Sequence, residues 1–287
     1  MFERFYAGFD AARDCWEVLK ADKKLIVLPL LSGLFCLIVL LSFVVPLALL
    51  KPHLLDPVLQ QNPAAGAKQE PVWLWALVFV FYFCNYAVIY FFNSALVCCA
   101  IFHFRGRPIS VTDGLQAAFR RLPQILAWSL VSATVGVLLK MIENAHDRAG
   151  QLISAVLGTA WTVLTYFVVP VLVVERVGPF EAIRRSARIL RDTWGEALGG
   201  RMGIGWFLIP FWLIVFGLGI LGGFLMQANP PVGILLLGLA IVFAMVLGLV
   251  HSALETILLA ALYLYATQDE VPVGMSRKVL KKAFTAK

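Results

Sequence analysis

Charge is scarce in this sequence. Asp, Glu, Lys and Arg make up 14% of 287 residues, beside only four histidines and five cysteines. A soluble domain carries about 25% charged residues, so the shortfall excludes an ordinary water-facing surface. Catalytic signatures are missing too. There is no G-x-x-x-x-G-K-[ST] phosphate loop, no H-E-x-x-H zinc helix and no G-x-S-x-G nucleophile elbow, which argues against the familiar enzyme classes. The cysteines (Cys15, Cys36, Cys84, Cys98, Cys99) show no C-x-x-C spacing, so neither a metal site nor a disulfide framework is expected, and no cofactor is implied. No cleavable signal is expected, because some 24 charged and amphipathic residues precede an apolar run too long for a signal core, and no small-x-small site follows it.

What the chain has in abundance is apolar length. It is 61% hydrophobic, with a mean hydropathy of +0.85. Six runs reach the roughly 20 residues a helix needs to cross about 30 Å of hydrocarbon: 25–50, 72–102, 124–142, 152–174, 206–226 and 232–267. All six are expected to be helices, since isolated strands would leave backbone groups unpaired in lipid. The fold class is therefore an all-α membrane protein with six transmembrane helices. Of the 24 Lys and Arg, 20 fall on one side of these runs and only Lys51, Lys68, Lys140 and Arg148 on the other. The positive-inside rule then predicts a multi-pass protein of the cell inner membrane with both termini cytoplasmic. The pI near 9.3 invites a nucleic-acid partner, but the basic residues hug the ends of the apolar runs. Anionic lipid headgroups are the expected counter-charge, and no nucleic acid is expected.

Three predicted cytoplasmic segments have amphipathic helical spacing, and each precedes a pair of spans. In 1–24, Phe2, Phe5, Tyr6, Phe9, Ala12, Trp16 and Leu19 oppose Arg4, Asp10, Arg13, Asp14 and Glu17. In 103–123, Ser110 and Asp113 read as a capping box before Leu115, Ala118, Phe119 and Leu122. In 175–205, Pro179 suits a first helical turn, and Phe180, Ile183, Ala187, Leu190 and Trp194 oppose Arg184, Arg185, Arg188 and Arg191. The expected organisation is a single membrane domain over 1–287, with an interfacial helix before each of the pairs 25–102, 124–174 and 206–267 and a basic tail over 268–287. The segments Gly8–Trp16, Gly114–Leu122 and Ala182–Leu190 align weakly, which reads either as a threefold unit of interfacial helix plus hairpin or as the common look of surface helices.

The stretch Tyr166-Phe-Val-Val-Pro-Val-Leu-Val-Val-Glu-Arg-Val-Gly-Pro-Phe-Glu-Ala-Ile-Arg-Arg-Ser-Ala187, with Ala260-Ala-Leu-Tyr-Leu-Tyr-Ala-Thr267 and Lys23-Lys24 leading to Pro29, resembles an uncharacterised family of prokaryotic integral membrane proteins. A similar pattern of proline, acidic residue, Gly-Pro and helix occurs in the membrane domain attached to some glycerophosphodiester phosphodiesterases. The resemblance implies a fold and a membrane address; it transfers no functional residues.

Polarity inside the spans supplies the candidate sites. His251 and Glu255 stand one helical turn apart in the last run. A carboxylate there costs about 2.5–3.5 kcal/mol on insertion scales, so a partner is expected, in a functional or a structural role. If Tyr263 and Tyr265 mark the inner aromatic belt, Glu255 lies about 12–15 Å inside it, near the midplane; counted from Val232, it lies at the inner interface. Tyr82, Asn85, Tyr86, Tyr90 and Asn93 share one face of the second run, Thr159, Thr162 and Tyr166 form a shorter stripe in the fourth, and Ser129 and Ser132 one in the third. These read as the lining of a polar cavity or as side-chain hydrogen bonds between packed spans. Small-residue spacing at Gly219 and Gly223, at Ala240, Ala244 and Gly248, and at Ser132 and Gly136 predicts close helix packing. Pro170 and Pro210 predict kinks.

The leading functional expectation is a non-enzymatic membrane protein that organises, senses or accommodates lipid or a membrane partner, with Arg120, Arg121, Arg184, Arg185, Arg188 and Arg191 meeting anionic headgroups. The alternatives are a small transporter or channel using the polar faces of spans two, four and six, and an intramembrane enzyme built on His251 and Glu255. A protein partner or a homo-oligomer stays open.

Overall fold

The computed structural model describes residues 2–50, 72–108, 110–145 and 148–268. Helices follow one another along the chain: α1 (Phe2–Ala21), a short 3-10 turn (Lys23–Ile26), α2 (Val27–Leu50), α3 (Val72–Phe104), α4 (Val111–Phe119), α5 (Leu122–Ala145), α6 (Arg148–Leu164), α7 (Val168–Glu175), α8 (Pro179–Ala228) and α9 (Pro230–Gln268). No strand occurs among the described residues. The outer connection over 51–71, the tail from 269 onward and the side chains of Phe2, Phe5, Tyr6 and Trp194 lie outside the described residues.

Among the described residues, six helical stretches are long and apolar enough to cross a bilayer: Lys23–Leu49, Trp73–Phe104, Leu122–Asn144, Ala149–Glu175, Gly203–Ala228 and Pro230–Gln268. The protein is thus a polytopic α-helical membrane protein. Two features depart from the sequence reading. The fifth span is not preceded by a separate helix and linker; α8 runs unbroken from Pro179 to Ala228, about 75 Å at helical rise, and continues through Pro210. The fourth span, by contrast, is interrupted between α6 and α7.

The described chain forms two compact units. One comprises Met1–Leu30, Asn93–Ala117 and Ala187–Lys287; the other comprises Leu31–Phe92 and Ala118–Ser186. In the first, α1 packs against α9 through a face of small and medium residues: Ala11, Ala12, Cys15, Val18 and Leu19 are all buried. Burial pushes the Cys15 thiol above its ordinary range, because a thiolate there would lose its hydration. All five cysteines are free thiols. Helix α3 closes with Gly106 in the left-handed region (φ 68°): the Gly106 N–H donates to His103 O and the Arg107 N–H to Phe102 O, a hydrogen-bond pattern that caps the helix end. Beyond it, Gly114 of α4 lies against Ala95, where an added Cβ would stand 2.8 Å from the carbonyl oxygen. In the second unit, α5 and α6 pack together. Ser154 Oγ donates to Leu139 O at 3.0 Å, and the rings of Trp128 and Trp161 stack at 5.7 Å.

The non-spanning segments bury a different face from the one their aromatic residues suggest. In α8, Ala182, Ser186, Ile189 and Leu190 are buried, while Phe180 is 72% exposed and lies on the side of Arg184 and Arg188. In α4, Gly114 and Ala118 are buried and Phe119 is 65% exposed. In α1, Phe9 is 38% exposed, its ring edge-on to Phe207. The cause is packing distance: Ala, Gly and Ser let a short helix approach a span closely, so the small-residue face goes inward and the large rings turn out. Ala12, Ala118 and Ser186, which occupy equivalent positions in the weak threefold alignment, are each 0% exposed. The Ser110 hydroxyl of the expected capping box is hydrogen-bonded with the Thr112 hydroxyl.

Candidate functional site

The interruption of the fourth span is a small exchange of backbone hydrogen bonds. The Thr165 N–H keeps the helical bond to Trp161 O, but Tyr166 N–H donates to Val163 O and Val168 N–H to Thr165 O, each one residue too early for an α-helix. This tightening leaves the Phe167 N–H and the Leu164 carbonyl, among others, without helical partners. Ser186 of α8 supplies both. Its Oγ accepts from Phe167 N–H at 3.0 Å and donates to Leu164 O at 2.7 Å, with Ser186 and Phe167 both 0% exposed. Pro170 sits in the first turn of α7, where its lack of an N–H costs nothing. The kink expected at Pro170 is therefore a full break just upstream, held by a serine from the next helix. Irregular backbone at this depth of a span is tolerated only where protein or a cavity surrounds it. Tyr166 lies in the break, its ring edge-on to Phe167 at 4.9 Å.

Beside the break runs a file of aromatic rings. Tyr82 and Tyr86 stack at 6.0 Å, Tyr86 and Tyr90 at 5.7 Å, Tyr90 meets Trp128 at 5.9 Å, and Trp128 stacks on Trp161. Tyr90 donates to Ser132 Oγ at 3.1 Å, and Gly136 gives room to the Tyr86 ring: an added Cβ would lie 3.4 Å from its hydroxyl oxygen. Gln124, Trp128, Ser132 and Gly136 are spaced by four along α5, so one face of that helix meets the tyrosines. On it, Gln124 Oε1 and Trp128 Nε1 are buried without a hydrogen-bond partner. Trp128, Trp161, Gln124 and Ser186 are absent from the sequence-derived candidates. The i, i+4 spacing of Gln124, Trp128 and Ser132 was the available signal.

The remaining candidates divide. Asn85 donates its amide to Phe81 O of its own helix, and Asn93 falls in the other compact unit. Thr159 and Thr162 are exposed and donate to Ala155 O and Gly158 O of α6. Ser129 likewise donates to Ile125 O. They satisfy themselves locally instead of bridging spans. His251 Nε2 and Glu255 Oε1 stand 3.4 Å apart, each about a third exposed. The pair lies at the rim of the core formed by Ala253, Leu254, Ile257 and Leu258, not in the bundle interior. Tyr263 is 1% exposed and packs inside the protein. Glu255→Gln is expected to unfold in detergent like the parent, whereas Glu255→Leu, which abandons the histidine, is expected to lose about 1–3 kcal/mol; equal stability of the two variants would remove the structural role of the pair.

Among the arginines, Arg121 Nε donates to Val173 O at 3.3 Å and Arg185 pairs with Glu175 at 3.0 Å. These two hold the end of α7 and are not turned outward. Arg120, Arg184, Arg188 and Arg191 are exposed. Among the described residues, no three of His, Cys, Asp and Glu converge in a metal-binding group.

Residues 72–273 match the model of a family described as a family of unknown function (DUF6159). The chain belongs to that family. The match takes in α3 through α9, so the tyrosine file, the interrupted span, Ser186 and the His251–Glu255 pair are all within the DUF6159 region, as is the Tyr166–Ala187 motif. No curated protein and no solved structure matches the chain.

Proposed function

We propose that this DUF6159 protein is a non-enzymatic inner-membrane protein that organises or accommodates anionic lipid on the cytoplasmic leaflet, with both termini cytoplasmic and its spans arranged as three hairpins. The observation that carries this reading is the state of Arg120, Arg184 and Arg188. All three are exposed, lie outside the six spans, and have no ion pair with an acidic residue among the described residues. A guanidinium beside a span meets lipid phosphate as its nearest counter-charge and can bind it with two parallel hydrogen bonds. The 20-to-4 distribution of Lys and Arg supports the same side. Each basic residue near an anionic surface contributes about 1 kcal/mol, so replacing three lowers apparent affinity on the order of 100-fold. The measurement is mass spectrometry of lipid retained by the full chain after extraction from mixed phosphatidylglycerol and phosphatidylcholine bilayers. Phosphatidylglycerol is expected to be enriched on the parent and not on the Arg120→Gln, Arg184→Gln, Arg188→Gln variant. Equal enrichment on both would end this reading.

The interrupted fourth span favours a second reading, a small transporter for a neutral polar solute. Uptake into vesicles that is abolished by Trp128→Phe and spared by the triple arginine variant would establish it over the first.

A further inference from the structure

Outside the six spans, the described residues expose three large apolar side chains, and all three are phenylalanines: Phe9 at 38%, Phe119 at 65% and Phe180 at 72%. They fall one on each of the non-spanning segments, α1, α4 and the start of α8. Each has an exposed arginine within one helical turn: Arg13 four residues after Phe9, Arg120 next to Phe119, and Arg184 four residues after Phe180. None of these arginines has an ion pair with a described acid. From this pattern we infer that Phe9, Phe119 and Phe180 are insertion points that enter the headgroup and acyl boundary of the surrounding bilayer, each with its arginine on the phosphate of an anionic phospholipid. The inference rests on the lipid reading above and deepens it by naming the apolar contacts.

A ring left in water gains nothing, and the helices had an alternative, since a rotation of about 100° would have turned these faces inward. They instead bury Ala12, Ala118 and Ser186. A phenylalanine beside an arginine matches the layered chemistry of a membrane interface, where phosphate lies outside the first methylenes of the acyl chains. Phe119 and Phe180 both belong to the second unit. Charge complementarity commits the occupant. The exposed guanidinium beside each ring points to anionic lipid, and an apolar protein partner at any one of them would meet an unpaired guanidinium group.

Photocrosslinking tests it. Replacing Phe9, Phe119 or Phe180 singly with p-benzoylphenylalanine keeps an aromatic ring and captures whatever C–H bond lies beside it. In full-length protein in nanodiscs of mixed phosphatidylglycerol and phosphatidylcholine, phospholipid adducts are expected at 119 and 180 about tenfold above those at the control positions Asp113 and Glu181, with a smaller excess at 9. Arg120→Gln and Arg184→Gln should then shift the adducts from phosphatidylglycerol toward phosphatidylcholine. Adducts to a second copy or another protein, or lipid adducts no more frequent than at the controls, would overturn the inference even if lipid retention by the arginines persists. Lipid adducts with no headgroup preference would support insertion while removing the anionic reading on which the arginine half depends.

Discussion

Ser186→Ala is expected to lower stability by about 2–4 kcal/mol, more than any other serine substitution in the second unit. The variant removes one hydroxyl but leaves two backbone groups without partners: the Phe167 N–H and the Leu164 carbonyl, both bonded to Ser186 Oγ. Each orphan costs about 1–3 kcal/mol; Phe167 is 0% exposed, and Leu164, though 44% exposed, lies within the fourth span, where no water would replace the lost bond. Nor can the chain recover by simply closing the helix, since Val163 O already accepts from Tyr166 N–H, and Val168 N–H, the helical donor to Leu164 O, is already bonded to Thr165 O. Ser129→Ala is the matched control. Ser129 is equally buried, but its hydroxyl only adds a bond to the Ile125 carbonyl of its own helix, so its loss is expected to cost less than about 1 kcal/mol. Unfolding of both variants in mixed detergent, with hydrogen exchange at Phe167, separates the cases. If the two serines prove interchangeable in cost, the clasp does not hold the broken span.

The six spans were legible in the sequence because 18 or more apolar residues in a row have few other uses, and the structure has six helices that meet that condition. The face each short helix buries was legible only in part: Ala12, Leu19, Ala118 and Leu190 of the expected stripes are buried, but Phe9, Phe119 and Phe180 are exposed. Periodicity was traced through Phe9, Phe119 and Phe180 because large rings dominate any hydropathy pattern, whereas contact distance is set by Ala11, Ala12 and Cys15, by Gly114 and Ala118, and by Ala182 and Ser186. A small polar residue such as Ser186 counts as surface in the pattern and as core in the packing. The break at residues 165–167 depends on a hydroxyl 19 residues away, and nothing local announced it except Pro170. The tyrosines of the second run were visible as a stripe, but their neighbours Trp128 and Trp161 were absorbed into apolar runs, although one indole N–H ends up buried without an acceptor. The Tyr90–Ser132 bond joins one predicted polar face to another across helices.

Glycine is where sequence pattern and structure part most sharply, and Gly233→Ala is expected to have the other large effect. The pair Gly219 and Gly223 has the four-residue spacing of a close helix contact, yet a Cβ added at either would meet nothing within 4 Å. The close approach is instead between Gly222 of α8 and Gly233 of α9, on either side of the turn at Asn229, whose N–H donates to Leu225 O and whose carbonyl accepts from Gly233 N–H. A Cβ on Gly233 would stand 2.7 Å from the backbone N and Cα of Met226 and 2.9 Å from Gly222 O. Backbone cannot step aside as a side chain can, so α8 and α9 would have to part near their turn, at a cost of about 1–3 kcal/mol or more. Gly222→Ala, with its nearest atoms at 3.0–3.2 Å on Leu237 and Gly233, should cost less. Gly219→Ala and Gly223→Ala should go the other way, stabilising by up to about 1 kcal/mol, because alanine restricts the unfolded chain and these helix positions are open. Detergent unfolding of the four single variants checks the order. A loss of stability at Gly219 or Gly223 as large as at Gly233 would show that another molecule covers that face, and would return the four-residue pattern to the role its spacing suggests.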